Sequence, residues 1–277
     1  MELEQTVEQH YTQGDLEATL WGALAASGKD LEHLTPADLA PVDEFHLGGR
    51  QATVDFALEL GCSPGDHLLD IGCGLGGASR YFAKERGCQV TGIDLTDEFV
   101  RMAGNLARKV GLEALVSYRQ GSALAMPFGS QAFDGAYMLH VGMNIQDKAA
   151  LFAEARRVLK PGGVFGIYDV MGEGPTSGLQ FPVPWARRPE TSFVQSLESY
   201  GRLLAEAGFR VERTRDRSDF ALGFLKQVRS AGDPAAVAPQ LGLHLLLGED
   251  APRMFANLMA LIGRGQVAPV EIICQAF

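Results

Sequence analysis

The chain has 277 residues, 46% of them apolar and 21% charged, with a formal net charge of -10. That balance fits a globular protein with room for one large α/β domain, domains usually running to about 100 to 200 residues, and gives no sign of extended disorder. No apolar run reaches the roughly 18 residues of a membrane span, the start "MELEQTVEQH" lacks a signal-peptide profile, and the acidic balance opposes nucleic acid as a substrate, so a cytoplasmic chain with no membrane or nucleic-acid partner is expected.

Residues 2–46 read as polar helices, with apolar residues at helical spacing in "VEQHYTQGDLEATLWGALAASG" and a break at Gly14 and Asp15. They form a cap rather than a core, and the boundary is drawn at residues 1–47 for the cap and 48–277 for the main domain. "GRQATVDFALELG" predicts an amphipathic helix ending at Gly61, and "SPGD" turns the chain into a buried strand, "HLLDIG". Helix "GASRYFAKERG", strand "CQVTGIDL", helix "DEFVRMAGNLARKVG", strands "LVSYRQG" and "AFDGAYMLH", helix "DKAALFAEARRVLK", turn "PGG" and strand "VFGIYDVM" follow. Strands separated by helices imply right-handed crossovers and a doubly wound, mostly parallel sheet covered on both faces.

Residues 172–194 are too rich in Gly and Pro for a regular element, yet hold Phe181, Trp185 and Phe193; a long aromatic loop after a parallel strand reads as a lid at the sheet's carboxyl edge. Helix "SLESYGRLLAEAGF" and strand "RVERTRD" come next; the arginines near residue 214 alternate with acids, which predicts a solvated strand edge rather than a basic binding face. Residues 219–266 read as a helical insertion around a Pro-rich break at 234–239, before a seventh strand, "VEIICQAF". Cys62, Cys73, Cys88 and Cys274 are scattered without a CxxC pair or a His cluster, so they read as core thiols and no metal site is expected.

Gly72, Gly74 and Gly77 in "LLDIGCGLGG" satisfy GxGxxG between a strand and a helix, the place where a dinucleotide's pyrophosphate would lie. Asp70, two positions before Gly72, opposes that reading, since like charges at 4 Å repel by about 4 kcal/mol in a partly buried cleft. A phosphate-free adenosine ligand with a positive end, S-adenosylmethionine, removes the conflict: its ammonium pairs with Asp70 and glycines let it approach the backbone. Asp94, 22 residues after Gly72, is placed for the ribose hydroxyls of any adenosine cofactor. It could instead cap the helix "DEFVRMA", a role that Thr96 and Asp97 suit better.

"LLDIGCGLGGASRYFA", "VTGIDLTDEFVRMA", "GSALAMPFGSQAFDGAYMLH" and "EARRVLKPGGVFGIYDV" together resemble the successive motifs of class I S-adenosylmethionine-dependent methyltransferases. The resemblance implies a Rossmann-like methyltransferase fold whose last strand runs antiparallel, and S-adenosylmethionine as cofactor with S-adenosylhomocysteine as product. By the same resemblance Asp70, Gly72, Gly74 and Gly76 form the methionine turn. Asp94 is the ribose acid with Leu95 beside the adenine, Ser122 and Ala123 are the adenine pair, and His140 faces cofactor and substrate. Ser122 departs from the pattern, which has Asp at that place.

"YTQGDLE", "VDEFHLGGRQAT", "HVGMNIQDK" and "FPVPWA" resemble small-molecule methyltransferases of the sarcosine and dimethylglycine N-methyltransferase type and, more distantly, phosphoethanolamine methyltransferases. An amine acceptor is therefore expected, with an oxygen or carbon of a natural product as the alternative and a non-catalytic cofactor-binding protein as the third reading. His140 is the candidate base or a packing histidine. Tyr11 is the candidate to fold over the site, as a tyrosine paired with a histidine does in the phosphoethanolamine enzymes, or else to pack on its helix. Trp185 and Phe181 offer an aromatic wall for a cation or cover their own loop. Arg50, after His46, Gly48 and Gly49, is a candidate for the cofactor carboxylate, and Asp169 for a substrate cation; plain surface roles suit both. A monomer or homodimer is equally compatible with the sequence.

Overall fold

A computed structural model describes residues 2–12, 16–172, 178–231 and 241–277. The predicted breaks at Gly14–Asp15 and 234–239, and part of the 172–194 loop, lie outside the described residues. The first half holds α1 (Glu2–Tyr11), α2 (Leu16–Ala26), α3 (Pro36–Asp43), α4 (Gly49–Leu60), β1 (His67–Ile71), α5 (Gly77–Arg86), β2 (Gln89–Asp94), α6 (Asp97–Lys109), β3 (Val116–Gln120) and β4 (Phe133–Leu139). Then come α7 (Lys148–Val158), β5 (Leu159–Met171), α8 (Leu197–Glu206), β6 (Phe209–Asp216), α9 (Ser218–Ala231), α10 (His244–Leu247), α11 (Ala251–Gly263) and β7 (Ala268–Ala276).

The seven strands form one sheet in the order β3-β2-β1-β4-β5-β7-β6. β1 pairs in parallel with β2 and β4, and β5 with β4, whereas β7 runs antiparallel to both β5 and β6. Period-two alternation divides the core: Leu68 and Tyr137 pack with α4, α5 and α11 on one face, while Leu69, Ile71 and Met138 pack with α7 and α8 on the other. α6 shows how the sequence builds its helices. Phe99, Met102, Ala103 and Leu106 are its buried stripe, Asp97 and Glu98 sit in its first turn, and Arg108 and Lys109 in its last, which suits the helix dipole.

Two differences from the sequence reading have local causes. β5 starts at Leu159, so the predicted "PGG" turn lies within a strand. The partner of Phe133 is Leu159 but that of Gly135 is Val164, and this slip in register takes up the extra residues. The amino-terminal helices also carry a core of their own: Leu16, Leu20, Leu24, Leu39 and Val42 are buried against Phe99, Met102 and Leu106 of α6. β6 is the sheet edge, with Arg210 paired to Glu212, Arg213 and Arg215 to Glu59, and Arg217 to Asp55. The four cysteines are buried and free. Among the described residues no helix is long and apolar enough to cross a membrane.

Candidate active site

β1, β2 and β3 end side by side, and the loops leaving them meet α1, the 178–194 segment and α11 around a cavity of about 340 Å³. Its floor is the turn after β1. Gly72 and Cys73 donate backbone N–H bonds to the Ile93 carbonyl at 2.7 and 3.0 Å, and Gly72, Gly74 and Gly76 take left-handed φ of 72°, 52° and 77°. Gly74 N–H donates to Asp94 Oδ2 at 2.8 Å and Thr96 N–H to Asp94 Oδ1 at 2.9 Å. The carboxyl at the tip of β2 is therefore locked in place while each oxygen keeps a lone pair for a ligand. Asp70 is 3% exposed and accepts hydrogen bonds from Ser79 Oγ at 2.6 Å and Tyr137 Oη at 3.1 Å. Burial, only partly countered by those bonds, pushes its pKa up to about 7.

Asp70, Gly72, Gly74, Asp94, Leu95, Ser122, Ala123, His140, Tyr11 and Trp185 all line this one cavity. Ser122 Oγ donates to Glu4 of α1 and accepts from Leu124 N–H at 3.0 Å. His140 has a left-handed φ of 57°, which suits a sharp exit from β4. Its Nε2 accepts from Leu47 N–H at 3.4 Å, which leaves Nδ1 to donate to the Tyr168 carbonyl at 3.2 Å. Burial first, and His46 second, lower its pKa to about 3, so the ring is neutral at physiological pH. Tyr11 Oη donates to Asn144 Oδ1 at 2.9 Å and not to His140, and burial holds its phenol well above the ordinary range.

Four candidates stand apart from the cavity. Gly76 lies beneath Tyr118, whose hydroxyl meets the Gly76 carbonyl at 3.4 Å, and it caps α5 instead of touching the open space. Arg50 lies 3.7 Å from Glu85 and over the Tyr81 ring at 5.0 Å, because α4 turns it toward α5. Phe181 packs against the core cluster that holds Trp185. Asp169 is fully buried on the other side of β5 and accepts from Tyr200 Oη at 2.6 Å. Gly48 and Gly49 also stay outside, packed against Phe220 and Phe224.

Residues that the sequence reading did not single out complete the walls. Glu44, 2% exposed, accepts from Thr53 Oγ1 at 2.7 Å, and Thr53 Oγ1 lies 3.0 Å from His46 Nε2. Glu44 Oε1 meets no donor. Phe224 of α9, Phe255 and Leu258 of α11, and Leu243 bring the insertion to the cavity, and Leu3, Glu4 and Val7 bring α1. Asn144, already within "HVGMNIQDK", ties the roof together by donating to the Trp185 and Thr191 carbonyls at 2.7 and 3.2 Å.

The reversed seventh strand, with a glycine turn, an acid and a serine at the ends of β1, β2 and β3, defines a Rossmann-like methyltransferase fold. Residues 69–167 match the model of a family described as a methyltransferase domain. Phosphoethanolamine N-methyltransferase 1 of Zea mays is 32% identical over 180 residues, 65% of this chain and 35% of the relative. A sterol 24-C-methyltransferase of Gibberella zeae is 39% identical over 113 residues, 41% of this chain and 30% of the relative. The chain thus spans about a third of the length of the curated relatives it matches. A provisionally named sarcosine dimethylglycine methyltransferase of Galdieria sulphuraria shares the fold with a TM-score of 0.65 at 21% identity, over 81% of this chain and 83% of that one.

Proposed function

We propose that the protein is an S-adenosylmethionine-dependent methyltransferase of a small-molecule acceptor, with an amine nitrogen as the methylated atom. The observation that carries this is the convergence of Asp70, Gly74, Asp94 and Ser122 on one cavity. The residues fit the cofactor. Nothing lies within 4 Å of where a Cβ of Gly74 would stand, so a methionyl chain can lie against bare backbone. Asp94 offers fixed acceptors to a ribose diol, and a ligand ammonium beside buried Asp70 would restore its charge. Among the described lining residues are six carboxyls, Glu4, Asp43, Glu44, Asp70, Asp94 and Asp147, and no lysine or arginine, a lining that suits a cationic ligand and opposes a diphosphate. The bound cofactor supplies a methyl group already activated on a sulfonium.

What the chain then contributes is position. Tyr11, Phe45, Trp185, Phe224 and Phe255 wall the acceptor side and exclude water, which favours in-line approach of a neutral amine. The neutral His140 holds the edge of the acceptor space without bringing a charge, and its two hydrogen bonds make it a positioning group. S-adenosylmethionine held by Asp70, Gly74 and Asp94 would supply that methyl group to the amine in exchange for the amine's proton, with S-adenosylhomocysteine left as product. Transfer to carbon or oxygen is the second reading, favoured by the apolar walls that Leu243, Phe255 and Leu258 add.

Calorimetry tests the cofactor half. S-adenosylhomocysteine is expected to bind at micromolar concentration, and Asp94→Ala, with its folding checked by Tm, to bind at least tenfold more weakly, about 1.4 kcal/mol. No binding by the wild type overturns the reading. Labelled methyl transfer to a metabolite pool, followed by fragmentation of the products, separates nitrogen from oxygen and carbon.

A further inference from the structure

α1 is bound at both ends of the cavity. At one end Glu4 accepts a hydrogen bond from the Ser122 hydroxyl; at the other Tyr11 donates to Asn144, and His10 Nε2 lies 3.2 Å from the Pro184 carbonyl. Leu3, beside the first anchor, and Val7, between the two, join Leu95, Phe99 and Ala123 in lining the space beyond Asp94. Those side chains make an apolar slot suited to a flat base, and Ser122 and Glu4 stand together on its wall.

The hydrogen-bond arithmetic at that wall is specific. A serine hydroxyl has one proton, and Ser122 spends it on Glu4 while accepting from Leu124 N–H. An exocyclic amino group entering the slot is a donor and needs an acceptor, for which a carboxylate is stronger than a hydroxyl already engaged twice. Ser122 also stands where the resembling family carries an aspartate. We infer that Glu4 supplies from α1 the carboxylate that position 122 lacks. It accepts the adenine amino group's hydrogen bond, so cofactor binding and the seating of α1 are one equilibrium. The inference rests on the S-adenosylmethionine reading above.

The test titrates S-adenosylhomocysteine and S-inosylhomocysteine, in which a carbonyl replaces the amino group, into the full chain. Wild type is expected to prefer the adenine compound at least tenfold. Glu4→Ala is expected to shrink that preference to threefold or less, and adding Ser122→Asp to restore it. Hydrogen exchange gives an independent readout. S-adenosylhomocysteine is expected to protect the α1 amides in wild type, but neither in Glu4→Ala nor in the double variant, whose acid no longer rides on α1. A full preference in Glu4→Ala, or undiminished protection of α1 there, overturns the inference. If wild type binds S-adenosylhomocysteine without preference, the Glu4 assignment alone fails; if it binds neither compound, the cofactor reading fails with it.

Discussion

Glu44 carries two opposite demands, for it is buried almost completely and only one of its oxygens has a donor. Burial first, and the neighbouring Asp43 second, push its pKa up to about 8, above the unfolded value of about 4.3. A raised folded pKa contributes stability that is fully present below the unfolded value and lost as the pH rises through about 8. Glu44→Gln keeps the shape and cannot ionise. Its Tm is expected to match wild type near pH 4.5 and to exceed it by several degrees above pH 8; a difference that does not grow with pH refutes this. His46 and His140 act with the other sign. Burial lowers their pKa values to about 4 and about 3, so their contribution is present above about pH 6.5 and lost as the pH falls through those values. The place of Asp70 and Asp94 at the cavity was legible in the sequence because both belong to local turns at strand ends. Glu4 was not, since its partner Ser122 lies 118 positions away and the residue reads as one more acid on a polar helix.

The turn after β1 shows how an element divides its glycines between fold and ligand. A Cβ on Gly72 would stand 2.5 Å from Val141 Cγ2, one on Gly76 would overlap Tyr118, and one on Gly74 would meet nothing within 4 Å. Alanine at Gly74 is therefore expected to cost only about 1 to 2 kcal/mol, the strain of left-handed backbone. Alanine at Gly72 or Gly76 adds overlap and should exceed about 3 kcal/mol in urea unfolding. Gly74→Ala should nonetheless lose the most affinity for S-adenosylhomocysteine per unit of stability lost, because its methyl points into open cavity. Equal unfolding losses at the three positions would sink this division. Strand positions and helix faces were legible because period-two and period-3.6 patterns are local. The start of β5 was not, since only Leu159 of its first five residues pairs with β4, across a slip in register that the sequence does not announce.

Across the whole molecule, the cavity is enclosed by segments far apart in sequence: α1, the loops after β1 to β4, the 178–194 segment and the insertion carrying Phe224 and Phe255. The sequence pointed to a cap, a lid and an insertion, but which of their side chains reach the cavity depended on long-range packing. Tyr11→Phe removes one anchor of α1 and leaves the bonds of Asn144 to Trp185 and Thr191. Affinity for S-adenosylhomocysteine is expected to fall about two- to fivefold, the worth of one hydrogen bond, without change in the preference over S-inosylhomocysteine. A changed preference would show that Tyr11 belongs to the adenine end. α1 has ten residues, and none of those whose side chains are described is fully buried. A helix of that length barely holds together alone in water. Once its anchors release, it melts instead of swinging aside as a rigid plate. Opening of the cavity past α1 is thus expected to be a local folding reaction, with a rate that climbs with temperature as steeply as unfolding does.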